Sequence, residues 1–131
     1  MSSIVSSFLI KGTNTTPEIY FDPSENSFSI SGISIPENTP KFYEPVFKLF
    51  EDFIHAYNDS LSVKINLLHF NTSSSKVLFN LSRLIAKLND LSNKVQITWY
   101  CDPDDEDMIE IIEDYSDILD LEIDVEMKTT A

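Results

Sequence analysis

The fold is decided by residues 61–76, which read LSVKINLLHFNTSSSK. Val63, Ile65 and Leu67 alternate with polar residues as in a β-strand, while Leu68 and Phe70 place apolar groups on the opposite face. A strand that is apolar on both faces is expected in the middle of a sheet that is covered on both sides. The hydroxyl-rich residues that follow predict the start of a helix over roughly residues 73–91.

The residues before this stretch predict a hairpin and a first helix. Residues 18–22 and 27–31 alternate as strands around the turn-forming sequence Asp-Pro-Ser-Glu-Asn at 22–26, and residues 8–10 predict an edge strand. The first helix follows Pro36-Glu37-Asn38-Thr39-Pro40, where Asn38 or Thr39 can act as the N-cap. Pro45 then predicts either that the regular helix begins near Glu44 or that it is kinked there.

The residues after this stretch predict a strand at 94–101, a helix at 104–119 and a half-exposed edge strand at 121–127. The whole order is an N-terminal hairpin followed by three helix–strand units. Such an order predicts an α/β fold at the border with α+β, with one mixed sheet that is parallel in its later part. Residues 1–131 are expected to form a single domain, with 1–12 and 128–131 loosely ordered.

Composition limits the possible functions. The net charge is −13, and residues 102–131 contribute −12 of it because they hold 13 acids and one base. A polyanionic surface repels phosphate backbones, so nucleic acid and anionic membranes are not expected as partners. Cys101 is the sole cysteine, and neither a secretion signal nor an apolar run long enough to cross a membrane is present, so the protein is predicted to be cytoplasmic.

Sites in open α/β sheets lie beyond the carboxyl ends of the strands, which points to residues 70–76 and 101–107. The hydroxyls at 72–75 have a plain explanation, since one Ser or Thr can cap the second helix. They also fit an anion site: a phosphate on Thr72 or Ser73 would be stabilised by the free amides and dipole of a helix N-terminus. Lys76 is the expected partner of that anion, and Asn71, Ser73 and Ser74 are the expected phosphate- or partner-binding neighbours.

No catalytic, metal or cofactor site is predicted. The acids at 102, 104, 105, 106 and 107 lack the spacing and central glycine of a calcium loop, so a solvated helix cap is the favoured interpretation. His69 and His55 are the only histidines, and His69 is expected to be a packed or hydrogen-bonded imidazole at the end of a buried strand. A small hydrolase or transferase that uses Thr72, His69 and these acids remains an alternative.

The sequence Asn71-Thr72-Ser73-Ser74 after Leu67-Leu68-His69-Phe70, together with Thr16-Pro17 and Pro36-Glu37-Asn38, resembles the SiaC-like regulatory phosphoproteins of bacteria. The resemblance covers roughly residues 12–125 and implies a fold like that of the STAS domains. The sequence departs from the family pattern at Pro45 and in its acidic C-terminal part.

The resemblance also implies a partner switch. A cognate protein kinase would phosphorylate Thr72, with Ser73 as the second choice, and a PP2C-type phosphatase would remove the phosphate. The unmodified form would bind a downstream target, a diguanylate cyclase in cyclic-di-GMP signalling and biofilm control, and phosphorylation would release that target. An anti-sigma-factor antagonist, with the same switch and a different partner, is the second possibility.

Overall fold

The computed structural model describes residues 7–22, 24–56, 60–90 and 95–127. The following lie outside the described residues: 1–6 of the segment 1–12 and all of 128–131, both predicted to be loosely ordered, Pro23 of the hairpin turn, and the side chain of His55. The elements are β1 (Phe8–Ile10), β2 (Glu18–Asp22), β3 (Ser27–Ser34), α1 (Thr39–Ala56), β4 (Leu61–Phe70), α2 (Thr72–Asp90), β5 (Val95–Cys101), α3 (Glu106–Leu119) and β6 (Ile123–Met127). This order confirms the hairpin followed by three helix–strand units and the α/β fold.

The strands form one mixed sheet in the order β1-β2-β3-β4-β5-β6. The first three strands pair antiparallel, and β3 to β6 pair in parallel. Each crossover therefore moves in the same direction across the sheet. Because such crossovers are right-handed, they place all three helices on one face. Consistent with this, α1 packs on α2 and α2 packs on α3.

The expectation that the central strand is covered on both faces is wrong. On β4 the side chains of Val63, Ile65 and Leu67 are buried beneath the helices, whereas Lys64 is exposed on the other face and Leu68 is 57% exposed. One layer of helices covers one face only, so the second face of the described sheet is open. The core lies between the helices and the covered face, and its largest fully buried side chains are those of Trp99, Tyr43, Phe21, Phe28 and Phe50.

An irregularity between β3 and β4 reorients the end of the central strand. Gly32 pairs with Leu67, but the next residue, Ile33, pairs with His69, so Leu68 is extra. Gly32 has φ +112°, in the region that favours glycine, which allows the chain to make this shift. The shift changes the alternation on β4, and His69 consequently lies exposed. The prediction of a packed imidazole at this position is therefore wrong.

The first helix begins where the sequence predicts, at a cap by Asn38. Its Oδ1 accepts a hydrogen bond from the Lys41 amide at 3.2 Å, and its carbonyl accepts one from Phe42 at 3.0 Å. The helix runs from Thr39 through Pro45, so the alternative start near Glu44 is wrong. The cap and the first turn hold the helix in this register, which places Tyr43 in the core.

Candidate functional site

The predicted site is the N-terminus of α2, where Asn71 forms the hydrogen bonds that begin the helix. The Asn71 Oδ1 accepts a hydrogen bond from the Ser74 amide at 2.9 Å, and its carbonyl accepts one from the Ser75 amide at 3.0 Å. The Asn71 amide donates to the carbonyl of Ser34 at 3.2 Å. Asn71 is thus the N-cap, and it also ties the helix start to the end of β3. The explanation in which a Ser or Thr caps α2 is wrong, because an asparagine immediately before them takes that role.

Thr72 and Ser73 are the first two residues of the helix and are both exposed. Among the described residues, neither hydroxyl has a hydrogen-bond partner. Their backbone amides belong to the first turn, where no intrahelical acceptor exists. The two residues therefore present free hydroxyls beside free amides at the positive end of the helix dipole. Lys76 lies one turn further along α2 and is exposed as well.

Ser74 is fully buried and belongs to a chain of hydroxyls below the surface. Its Oγ lies 2.8 Å from Ser34 Oγ and donates to the Ser34 carbonyl at 2.8 Å, and Ser34 Oγ lies 2.7 Å from the Tyr43 hydroxyl. Because each hydroxyl carries one proton, Tyr43 donates to Ser34, Ser34 to Ser74, and Ser74 to the carbonyl. Burial raises the pKa of Tyr43 to about 12, although its hydrogen bond with Ser34 acts in the opposite direction. Ser74 therefore supports the surface from below and cannot itself touch a partner without a rearrangement.

Ser75 connects the same turn to the third helix. The Tyr115 hydroxyl donates to the Ser75 carbonyl and lies 3.1 Å from Ser75 Oγ. The Tyr115 ring packs edge-on against Trp99 and Phe79, at centroid distances of 5.9 and 5.3 Å. Burial raises the pKa of Tyr115, opposed by its hydrogen bond with Ser75. The first turn of α2 is thus fixed from two sides, by Ser34 of β3, which bonds Tyr43 of α1, and by Tyr115 of α3.

Neither tyrosine contact was foreseen from the sequence. Ser34 and Ser74, like Ser75 and Tyr115, are 40 residues apart, so no local pattern joins them. The sequence does indicate that such partners exist, since a tyrosine on an apolar helix face carries a hydroxyl that needs a hydrogen-bond partner when it is buried.

The second predicted location, the acidic segment before α3, is a helix cap. The Asp105 Oδ1 accepts from the Met108 amide at 3.1 Å, and Asp102 Oδ1 accepts from the Asp104 amide at 2.9 Å. Glu106 and Asp107 occupy the first turn of α3, where the dipole favours them. These bonds confirm the cap interpretation. Within the described ranges, no group of three or more metal-binding side chains is assembled.

A cleft of about 670 Å³ lies between the ends of β4 and β5 and this acidic segment. Its walls include Leu68, Tyr100 and Asp102, whereas Thr72 and His69 do not line it. The described part of the chain also gives His69 and Thr72 no hydrogen bond to each other. The hydrolase alternative requires a base within reach of the Thr72 hydroxyl in a pocket, and this geometry does not support it. None of the described helices is long and apolar enough to cross a membrane.

Fold and site together define a class: an α/β domain with helices on one face of its sheet, which presents free hydroxyls on a fixed helix N-terminus. The chain belongs to the SiaC family of regulatory phosphoproteins, whose family model matches residues 10–128.

Solved structures of SiaC from Pseudomonas aeruginosa are similar along nearly the whole chain. The crystal structure of apo-SiaC matches with a TM-score of 0.85 and 25% identity, covering 93% of this chain and 99% of that one. SiaC in the crystal structure with the diguanylate cyclase SiaD, described there as its activator, matches with a TM-score of 0.86 and 26% identity, covering 92% and 99%. An uncharacterised protein of Pseudomonas aeruginosa strain UCBPP-PA14 is 29% identical over 106 residues, 81% of this chain and 84% of that protein.

Proposed function

We propose that this protein is a phosphorylation-controlled partner switch. The unmodified form binds and regulates a downstream signalling protein, a diguanylate cyclase as the leading candidate, and phosphorylation of Thr72 releases it. The supporting observation is the contrast within one turn of helix: Thr72 and Ser73 offer free, exposed hydroxyls, whereas the hydroxyls of Ser74 and Ser75 are engaged in hydrogen bonds. Family membership supports the same assignment, because the family consists of regulatory phosphoproteins.

The position of Thr72 suits a phosphate physically. A phosphate adds about −1.5 to −2 charges and three acceptor oxygens. At the first position of α2 these oxygens meet the free amides of the first turn and the positive end of the helix dipole. Lys76 supplies a cation one turn away, on the same exposed surface. Ser73 shares most of this environment and is the second candidate acceptor.

The switch is proposed to act at the surface rather than by refolding. The Asn71 cap, the Ser74 hydroxyl chain and the bonds of Ser75 to Tyr115 all hold the first turn of α2 from below. A phosphate on Thr72 would leave these bonds unbroken, since none of them involves its hydroxyl. The added charge and volume would instead lie in the face offered to the partner, where they oppose binding through desolvation and repulsion.

A cyclase is the leading target because SiaC of Pseudomonas aeruginosa is described as the activator of the diguanylate cyclase SiaD, with which it was crystallised. An anti-sigma-factor target would use the same switch and is the second possibility. A cognate kinase and a PP2C-type phosphatase complete the proposed cycle, which we place in the cytoplasm. In this cycle the protein itself carries out no chemistry and serves as the modified partner.

The test of the acceptor uses the cognate kinase, ATP and mass spectrometric mapping on the wild type, Thr72→Ala and Ser73→Ala. Ser73→Ala is the matched control because it removes a neighbouring hydroxyl that is equally exposed. We expect incorporation in the wild type and in Ser73→Ala, and none in Thr72→Ala. Incorporation that is retained by Thr72→Ala would refute Thr72 as the acceptor, and loss only in Ser73→Ala would move the site by one residue.

A further inference from the structure

The outer strand β6 leaves part of the core face of the sheet uncovered. Val125 and Met127 pair in register with Trp99 and Cys101, so they lie on the same face as the core. Trp99 and Cys101 are buried, yet Val125 is 37% and Met127 54% exposed. The apolar face of the sheet thus continues past the area that α3 covers.

A groove of about 380 Å³ runs between α3 and this strand. Its apolar lining includes Ile112, Ile123 and Val125, and its rim includes the acids Glu113 and Asp117. Apolar surface bordered by acidic side chains fits a segment that carries both apolar and basic groups.

The opposite face of β6 is acidic. Asp124 and Glu126 alternate with the apolar residues and are both exposed. Within the described ranges, β6 pairs only with β5, so its outer edge has backbone groups without a strand partner. Charged side chains, proline and bulges commonly prevent pairing at such edges, and between residues 123 and 127 only the acids Asp124 and Glu126 do so. This edge therefore favours a strand of opposite charge.

We propose that β6 is a docking edge for an extended, basic segment of a partner protein. The segment would add a strand beside β6, with its apolar side chains continuing the face of Val125 and Met127. Its lysine or arginine side chains would alternate onto Asp124 and Glu126 as cross-strand pairs of opposite charge. The charge of −12 over residues 102–131 would attract such a segment at long range.

A second copy of this chain is a poorer occupant. Pairing two β6 strands would bring Asp124 and Glu126 against the same acids of the other copy, and like charges directly opposite each other destabilise a sheet. The proposed edge also lies apart from Thr72, since strand β5 separates β6 from β4, the strand that leads into α2. Docking at β6 is therefore independent of the proposed phosphorylation switch.

The test is a calorimetric titration of the full chain with a short peptide of alternating lysine and valine. The N-terminus of the peptide is acetylated and its C-terminus is amidated. A peptide of the same composition, with its lysines and valines in separate blocks, serves as the probe control. We expect saturable binding of the alternating peptide and slower hydrogen exchange of amides in β6. Equal binding of the block peptide would overturn the proposal, because attraction to net charge alone would then explain the affinity.

Two variants with equal changes in charge locate the site. Asp124→Lys with Glu126→Lys should weaken binding about tenfold, because two favourable cross-strand pairs become repulsive. Glu18→Lys with Glu25→Lys makes the same charge change at exposed positions near the hairpin and should alter binding by no more than about twofold. Equal weakening by both pairs of substitutions would contradict a site at β6.

Two further measurements test the apolar half of the site and the alternative that a second copy occupies it. Val125→Thr, which nearly preserves shape and leaves the charge unchanged, should also weaken binding, and an unchanged affinity would count against the apolar half of the site. Light scattering that shows a dimer lost on Asp124→Lys with Glu126→Lys would overturn the proposal in favour of a second copy. Thr72→Ala should bind the peptide like the wild type, so this test and that of the phosphorylation switch can fail separately.

Discussion

Replacing Tyr43 with phenylalanine should lower stability at neutral pH and make stability less sensitive to alkaline pH. The Tyr43 hydroxyl is buried and lies 2.7 Å from Ser34 Oγ, at the head of the hydroxyl chain that leads to Ser74. Tyr43→Phe keeps the ring, including its edge-on contact with Phe42, and removes one hydrogen bond. The net value of such a bond is about 0.5–1.5 kcal/mol, which is the expected loss in the free energy of unfolding at neutral pH.

The alkaline effect follows from the raised pKa of Tyr43. Its pKa is 10.0 in the reference state and about 12 in the folded protein, so the unfolded chain loses this proton first as the pH rises. The native state then holds more protons than the unfolded state, and the free energy of unfolding falls. The contribution is complete below about pH 10 and is lost up to about pH 12, by roughly 2.7 kcal/mol for a pKa difference of about 2. Tyr115, whose pKa is also raised, adds to the fall in the wild type and in the variant alike.

Urea unfolding followed by the fluorescence of Trp99, the single tryptophan, measures both effects. Unfolding curves between about pH 8 and about pH 12 should show the variant to be less stable at the lower end and to lose less stability towards the upper end. Tyr20→Phe, at a ring 37% exposed on the open face of the sheet, is the matched control and should follow the wild type. An alkaline loss in Tyr43→Phe as large as that of the wild type would refute the assignment to Tyr43.

Three more results are expected. Asn71→Ala removes the cap of α2 and should lower the free energy of unfolding by about 0.5–2 kcal/mol. Thr72→Ala removes no hydrogen bond and should stay within about 0.5 kcal/mol of the wild type. A lower urea midpoint for Thr72→Ala than for Asn71→Ala would contradict the capping geometry. Gly32→Ala forces a side chain into φ +112° and should cost about 1–3 kcal/mol in thermal unfolding, so an unchanged midpoint would argue against the irregularity between β3 and β4. Burial, and secondarily the charge of Asp105, raises the pKa of the Cys101 thiol. Maleimide should therefore label this thiol slowly in the folded protein at neutral pH and rapidly in urea. Equally rapid labelling of the folded protein would show that the thiol is accessible.

The element order could be predicted because it depends on local patterns. Alternation located the strands, helical spacing located the three helices, and Asn38 was one of the two caps proposed for α1. The covering of the sheet could not be predicted from β4 alone. The apolar Leu68 suggested a second buried face, but its place at the β3–β4 irregularity explains why it is exposed. The strand order, with every crossover in the same direction, is what leaves that face open.

The site could be predicted only in outline. The location at the start of α2 follows from the end of a strand and a run of hydroxyls, but the local pattern does not show which of these hydroxyls are exposed and which are hydrogen-bonded. The structure divides them into the exposed pair Thr72 and Ser73 and the engaged pair Ser74 and Ser75. That division depends on Ser34 and Tyr115, each 40 positions away from the α2 hydroxyl that it contacts, so the partners meet only after folding.

Binding of the chain to a diguanylate cyclase, the proposed partner, before and after treatment with the proposed kinase, tests the switch most directly. Calorimetry on the wild type should show binding that the kinase abolishes and a PP2C-type phosphatase restores. Thr72→Ala should bind equally well with and without the kinase. A phosphorylated wild type that binds as tightly as the unmodified protein, or a Thr72→Ala variant that the kinase still releases, would contradict control through Thr72.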